Sequence, residues 1–135
     1  TASYNDFKKR HIAGVHEQGS DKLCTQEICK RNLTIEKRCK PRNTFIFAKE
    51  NDVKEVCKKQ GVKIINTNLY MSRKPFRIVD CKNADQSLSP PNCIYRAVNA
   101  NTMMCITVAC DKNKLPVHLQ KSENVPPVFG ITGRV

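Results

Sequence analysis

Eight cysteines are spread from Cys24 to Cys110, and no two of them form a CxxC pair. This distribution constrains the fold more than any other feature. Structural zinc sites draw ligands from closely spaced pairs, and the nearest cysteines here, Cys24/Cys29 and Cys105/Cys110, each have four residues between them. An even number of cysteines without metal-ligand spacing predicts disulfides, four if all pair, and no metal. Bridges at this density belong to an oxidising compartment, so the chain is expected to be secreted and extracellular. No apolar run reaches the length of a membrane span, and no signal peptide is present, which predicts a mature chain. A length of 135 residues fits one domain over 1–135, with 121–135 an irregular C-terminal tail.

Lysine and arginine outnumber aspartate and glutamate by 24 to 12, a formal charge of +12. Such an excess favours polyanionic partners: nucleic acid, heparin-like glycans or anionic bacterial surfaces. Charge alone does not choose among these, nor between them and a plain solubility role. Tryptophan is absent, and three tyrosines with five phenylalanines are too few for an aromatic platform that stacks single strands.

Ser3 followed three residues later by Asp6 resembles a capping box, and Tyr4, Phe7 and His11 share one helical face. The spacing predicts a helix over about 4–13, with Gly14 as its stop. Ser20-Asp21 opens a second helix through Leu23, Cys24 and Ile28, and Asn51 to Lys59 fits a third, with Gly61 just beyond its end. Later segments change character. NTFIFA, VKIIN, FRIVDC, CIYRAV, MMCITVAC and LPVHLQ read as strands, and SLSPPNC (87–93) as a turn suited to a cis proline. Helices first and strands later predict an α+β fold with an antiparallel sheet.

His11 ends the first predicted helix, His16 follows in a loop, and His118 lies in the LPVHL strand. A single histidine is more often structural or solvated than catalytic. Two at opposite ends of a basic chain suit general acid–base work near neutral pH. With a lysine supplying positive charge, phosphoryl transfer is the matching reaction. The heptapeptide CKPRNTF (39–45) offers such a lysine, Lys40, directly after a cysteine. Taken alone, it reads as a surface turn leading into a strand.

CKPRNTF, the early helical His11, and PVHL soon after VAC (108–110) together resemble the pancreatic-type ribonucleases, the ribonuclease A superfamily, over about residues 4–120. The resemblance implies three N-terminal-side helices packed on a bent antiparallel β-sheet, stapled by disulfides, acting on single-stranded RNA without a cofactor. It implies His11 as the base that takes the ribose 2′-hydroxyl proton and His118 as the acid that protonates the departing 5′-oxygen. Lys40 then stabilises the phosphorane-like transition state. DNA, lacking a 2′-hydroxyl, is not a substrate for this chemistry.

The same resemblance implies substrate contacts from Arg10, Asn43, Thr44, Asp80 and Leu119. Thr44 corresponds to the residue that pairs with a pyrimidine through its backbone N–H and hydroxyl, and Asp80 to that threonine's acidic partner. Asp80 is equally readable as an ordinary strand-end aspartate. Asn43 is expected to orient the lysine loop more than to touch substrate, and Phe45 to lie in the core. The family pattern pairs Cys24 with Cys81, Cys39 with Cys93, and Cys57 with Cys110. Cys29 and Cys105 are left over, which suggests an additional Cys29–Cys105 bridge.

Some positions depart from the family pattern. Arg10 stands where glutamine is usual, Leu119 follows the acid histidine in place of phenylalanine, and Gln120 occupies the place of an orienting aspartate. Loss of that carboxylate predicts a less firmly held His118 and a reduced rate. Asp111 or Asn68 could contribute to a downstream base pocket. These departures suit the angiogenin-like or host-defence branches, with RNA and ribonuclease inhibitor as partners and a monomeric state. The competing reading is a cationic binding, signalling or membrane-perturbing protein whose ribonuclease activity is incidental.

Overall fold

Helix α1 (Tyr4–His11) begins where the cap signal predicts: the Ser3 hydroxyl accepts the Asp6 N–H at 3.2 Å. The computed structural model describes residues 2–124, with the backbone alone over 121–124. Helix α1 ends at His11, short of the expected boundary near 13, because Ile12 turns to extended backbone and starts β1 (Ile12–Ala13). Helix α2 (Asp21–Lys30) is capped by Ser20, whose hydroxyl accepts the Leu23 N–H at 3.0 Å. A small ribbon follows, β2 (Thr34–Ile35) with β3 (Arg38–Cys39).

Strand β4 (Arg42–Phe47) leads to α3 (Glu50–Lys54), which tightens into a 3₁₀ turn at Glu55–Cys57. The third helix is thus shorter than Asn51–Lys59. Its last turn is pulled in where Cys57 is bridged, and Lys58 and Gln60 N–H groups both bond the Glu55 carbonyl at 2.9 Å. Gly61 is not a helix cap but the first residue of β5 (Gly61–Lys63), and a Cβ there would overlap the Val56 carbonyl.

The remaining strands are β6 (Leu69–Ser72), β7 (Phe76–Asn83), β8 (Tyr95–Cys110) and β9 (Pro116–Asn124). Their order is β1-β4-β7-β8-β6-β5, with β9 also paired to β8. All pairings are antiparallel except β1 with β4, which is parallel at Ile12↔Ile46. Strands expected separately as CIYRAV and MMCITVAC are one. The chain continues through Asn99 and Asn101 at φ 52° and 58°, a left-handed conformation that asparagine tolerates. Strand β9 runs to Asn124, so residues 121–124 of the expected tail belong to the sheet. Positions 125–135, and any return of that tail over the base pocket, lie outside the described residues.

Adjacent residues on the central strands feed opposite faces. Phe45 and Val79 join Leu23, Ile28 and Tyr95 beneath α2. Ile46 and Ile78 join Phe7, Val53 and Ile106 beneath α1 and α3. Three disulfides tie the layers among the described residues: Cys24–Cys81, Cys39–Cys93 and Cys57–Cys110, with Cα separations of 5.6, 5.7 and 5.8 Å. Each spans more than 50 residues, a loop whose closure stabilises by about 4 kcal/mol in the chain-entropy picture. The SLSPPNC turn holds its cis bond at Pro90–Pro91.

The expected Cys29–Cys105 bridge does not form. Helix α2 meets the beginning of β8, where Thr25 Oγ1 accepts the Tyr95 N–H at 2.9 Å and Asp21 accepts the Ala97 N–H at 2.7 Å. Cys29 is exposed, its thiol 3.6 Å from the Pro91 carbonyl, whereas Cys105 is buried further along β8. Ten residues of strand separate Cys105 from Tyr95, about 30 Å of extended chain. A disulfide needs Cα atoms about 4–7 Å apart.

The close approach at Gly61 generates a stability test. Gly61→Ala should lower the unfolding free energy by about 1–3 kcal/mol in denaturant titration, because backbone must shift to admit the methyl group. Gly14→Ala, whose Cβ meets only the flexible Glu17 side chain at 3.4 Å, should stay within about 0.5 kcal/mol.

Candidate active site

His11 sits on the last turn of α1, half-buried, with Phe7 one turn earlier at 5.2 Å between ring centroids. Its Nδ1 lies 2.8 Å from the Thr44 carbonyl oxygen. A carbonyl only accepts, so in this bond Nδ1 carries the proton, and in the neutral ring Nε2 is left with its lone pair. Burial pushes the imidazole down to about 4. The Thr44 bond opposes that shift, while the charges of Lys40, Arg10 and His118 add to it. At neutral pH His11 is therefore an uncharged acceptor, the state a general base requires.

Lys40 follows the Cys39–Cys93 bridge and is half-buried. Its Nζ donates to Asn43 Oδ1 at 2.8 Å, and the Asn43 Nδ2 donates to the Arg10 carbonyl at 2.9 Å. Asn43 is only 4% exposed, with both ends of its amide engaged, so it positions Lys40 relative to α1. This departs from its grouping with the substrate contacts and agrees with the expectation that it orients the lysine loop. The Tyr95 hydroxyl donates to the Lys40 carbonyl at 2.6 Å. Burial, and then the Arg10 charge, hold the Lys40 ammonium below its ordinary value.

His118 lies on β9 opposite Ala109 of β8, and α1 packs against β9. The imidazole is exposed, and none of the described residues hydrogen-bonds it. This fits the exchange of an orienting aspartate for Gln120. Leu119 packs half-buried against the second core cluster. Arg10 is exposed at the end of α1, and its charge acts on both His11 and Lys40.

Thr44 and Asp80 are direct partners across β4 and β7. The Thr44 hydroxyl donates to Asp80 Oδ1 at 2.6 Å, and Asn99 Nδ2 donates to Asp80 Oδ2 at 3.3 Å. Asp80 is therefore more than a strand-end aspartate. Tyr95 and Asn99 were missed as contributors to the site. Both lie in segments read only as strand and separator, and the sole clue was a tyrosine in a buried strand, whose hydroxyl needs a partner.

An α+β sheet stapled by three bridges, with a tethered lysine and a second imidazole whose charges act on His11, defines a class of phosphodiester-cleaving protein. The chain belongs to the pancreatic ribonuclease family, whose description matches residues 2–120. It is 35% identical over 119 residues to angiogenin of Papio hamadryas, covering 88% of this chain and 77% of that protein. It is 36% identical over 120 residues to the pancreatic ribonuclease of Hippopotamus amphibius, covering 86% and 94%. Zebrafish RNase5 superposes with a TM-score of 0.75 at 30% identity, covering 87% of this chain and 92% of that one. Green turtle egg white ribonuclease superposes with a TM-score of 0.76 at 27% identity, covering 88% and 97%. The protein is an endoribonuclease, and its substrate is RNA.

The environment of His11 sets a pH dependence. Its proton should titrate near pH 4 in the folded protein, against 6.5 for an ordinary histidine, when followed by NMR of the ring. Because the folded state resists protonation, the unfolded chain binds more protons between these values. Stability should therefore be intact above pH 6.5 and fall as pH drops toward 4. Lys40→Gln should raise the His11 titration by removing one of the charges that depress it.

Proposed function

We propose that the chain is a secreted ribonuclease that cleaves single-stranded RNA on the 3′ side of pyrimidines. His11 Nε2 removes the proton from the 2′-hydroxyl, and O2′ attacks the adjacent phosphorus. The P–O5′ bond breaks as His118 donates a proton to O5′, leaving a 2′,3′-cyclic phosphate. Water opens the ring in a second step with the histidine roles reversed. Lys40 and the imidazolium supply the positive charge that the pentavalent phosphorus attracts. The observation that carries this reading is Lys40 immobilised by Asn43 and Tyr95 while its charge acts on a neutral, Nδ1-bonded His11.

Thr44 supports the pyrimidine preference. With its proton engaged by Asp80, the hydroxyl oxygen is an acceptor, which matches the N3–H of uracil. Cytosine presents a lone pair at N3, so the hydroxyl must turn its proton away from Asp80. A carboxylate partner thus biases the site toward uridine. Three disulfides support extracellular residence, and the charge of +12 supports heparin-like glycans and anionic bacterial surfaces as further partners. Ribonuclease inhibitor is a further expected partner, and the working unit is a monomer over the whole chain. If bacterial killing survives His11→Ala while cleavage is lost, charge carries the defence role and catalysis does not.

His11→Ala and His118→Ala should each lower kcat for dinucleotide cleavage by about 10²–10⁴-fold. Lys40→Ala should cost about 10²–10³-fold, mostly in kcat, because its charge acts on the transition state. The kcat/KM profile should be bell-shaped in pH, as two opposed imidazoles require, rising as His11 loses its proton. A monotonic profile would count against opposed imidazoles. Asp80→Ala should lower kcat/KM on UpA by up to about tenfold and leave CpA nearly unchanged, measured side by side.

A further inference from the structure

The β5–β6 hairpin carries the most exposed large apolar side chain among the described residues, Ile65 at 82%, beside Ile64 at 40% and Val62 at 44%. Its turn is ordered by its own hydrogen bonds. The Ile64 N–H donates to the Leu69 carbonyl at 2.9 Å, and the Thr67 hydroxyl donates to the Ile64 carbonyl at 2.7 Å. The same hydroxyl oxygen accepts the Leu69 N–H at 3.0 Å, and Asn66 makes the bend at φ 63°. The isoleucines are thus held outward on a stiff turn, with little ordering entropy left to lose on binding.

The hairpin is cationic, with Lys63 next to the tip and the other cations beyond Gly61 and Ser72 at its opposite end. From residue 58 to residue 74 the sequence contains Lys58, Lys59, Lys63, Arg73 and Lys74 and neither aspartate nor glutamate. All five cations are exposed. Arg73 folds back beside the lysine pair, its Nε donating to the Lys59 carbonyl at 3.0 Å. Carboxylates also lie near the hairpin. Asp111 is occupied by the N–H groups of Asn113 and Leu115 at 2.9 and 3.0 Å, and Asp52 and Glu55 share a cleft with Lys59 and Lys74 at the hairpin's base.

We propose that this hairpin tip docks the protein on anionic lipid bilayers, with Ile64 and Ile65 entering the acyl boundary, Lys63 resting on acidic headgroups and the chain's charge of +12 drawing it to the surface. Aliphatic side chains beside a lysine on a strongly basic chain fit a shallow interfacial contact. A protein partner fits less well: three aliphatics fall far short of the roughly 800 Å² per side of a stable interface, and lysine is depleted there. RNA gains nothing from isoleucine, which has no ring to stack on a base. The mode is docking and not spanning, since no helix among the described residues is long and apolar enough to cross a membrane.

The chain contains no tryptophan, so an Ile65→Trp variant reports from the tip alone. With phosphatidylcholine vesicles containing about a quarter phosphatidylglycerol, its emission should shift to the blue and be quenched by brominated acyl chains. Pure phosphatidylcholine should produce neither effect. Ile65→Ser should weaken partitioning of the full chain to the anionic vesicles about tenfold, with RNA cleavage retained. Indole emission that stays water-like on vesicle-bound protein, or Ile65→Ser binding as tightly as wild type, would overturn insertion in favour of charge alone. A lipid-free dimer in sedimentation velocity that Ile65→Ser abolishes would assign the tip to self-association. A rise in KM for RNA without loss of vesicle binding would assign it to substrate.

Discussion

Asn43 is the joint on which the placing of Lys40 depends, because its two amide ends connect the lysine to α1, which the His11–Thr44 bond and the β1–β4 pairing hold against β4. Its oxygen takes the Lys40 ammonium and its nitrogen gives to the last turn of α1 at the Arg10 carbonyl. The side chain is buried, so an unmade bond at either end leaves a desolvated polar group at a cost of about 1–3 kcal/mol. Both bonds therefore hold, and the helix that bears His11 is kept in register with the segment between β3 and β4 that carries the lysine. The Cys39–Cys93 bridge anchors the backbone on one side of Lys40, and Tyr95 grips its carbonyl.

The electrostatics of this arrangement favour an anion. Lys40, Arg10 and His118 all oppose a proton on His11, and Arg10 opposes one on Lys40. Such crowding of like charge destabilises the empty site, and a bound phosphate relieves it. Burial first, and then the same repulsion, keeps His11 neutral, so charges that attract an anion also help hold the imidazole unprotonated. Preorganised charge of this kind does its work without reorganising during the reaction.

Strand β8 distributes that organisation across the sheet. Near its start Tyr95 holds Lys40, Asn99 contacts Asp80 in the middle, and Ala109 near its end pairs with His118. A single 16-residue strand thus sets the relative places of the lysine, the Thr44–Asp80 pair and the second imidazole. The left-handed asparagines let it bend without ending, which explains how one strand serves groups so far apart in the chain.

Much of this was legible in the order of residues. Ser3 and Ser20 announced their helices because capping is local, decided within three residues of the cap. Short apolar runs bounded by polar clusters announced β4 and β7 for a similar reason, and CKPRNTF with the two outlying histidines marked the family. Three cysteine pairs followed from that family pattern. Other features were decided only by tertiary structure, since they depend on which segments meet. Local pattern split β8 in two and gave no sign of β6 or of the parallel β1 contact, and the two cysteines left over from the family pattern suggested a Cys29–Cys105 bridge that the structure does not form. It also left Tyr95 and Asn99 outside the site, because a hydrogen-bond partner 55 or 19 residues away along the chain leaves no periodic trace. Sequence settled which chemical groups were present and how each short segment would curl. The packing of α1, β4, β8 and β9 settled that the groups meet, because burial and hydrogen-bond satisfaction act between segments and not along them.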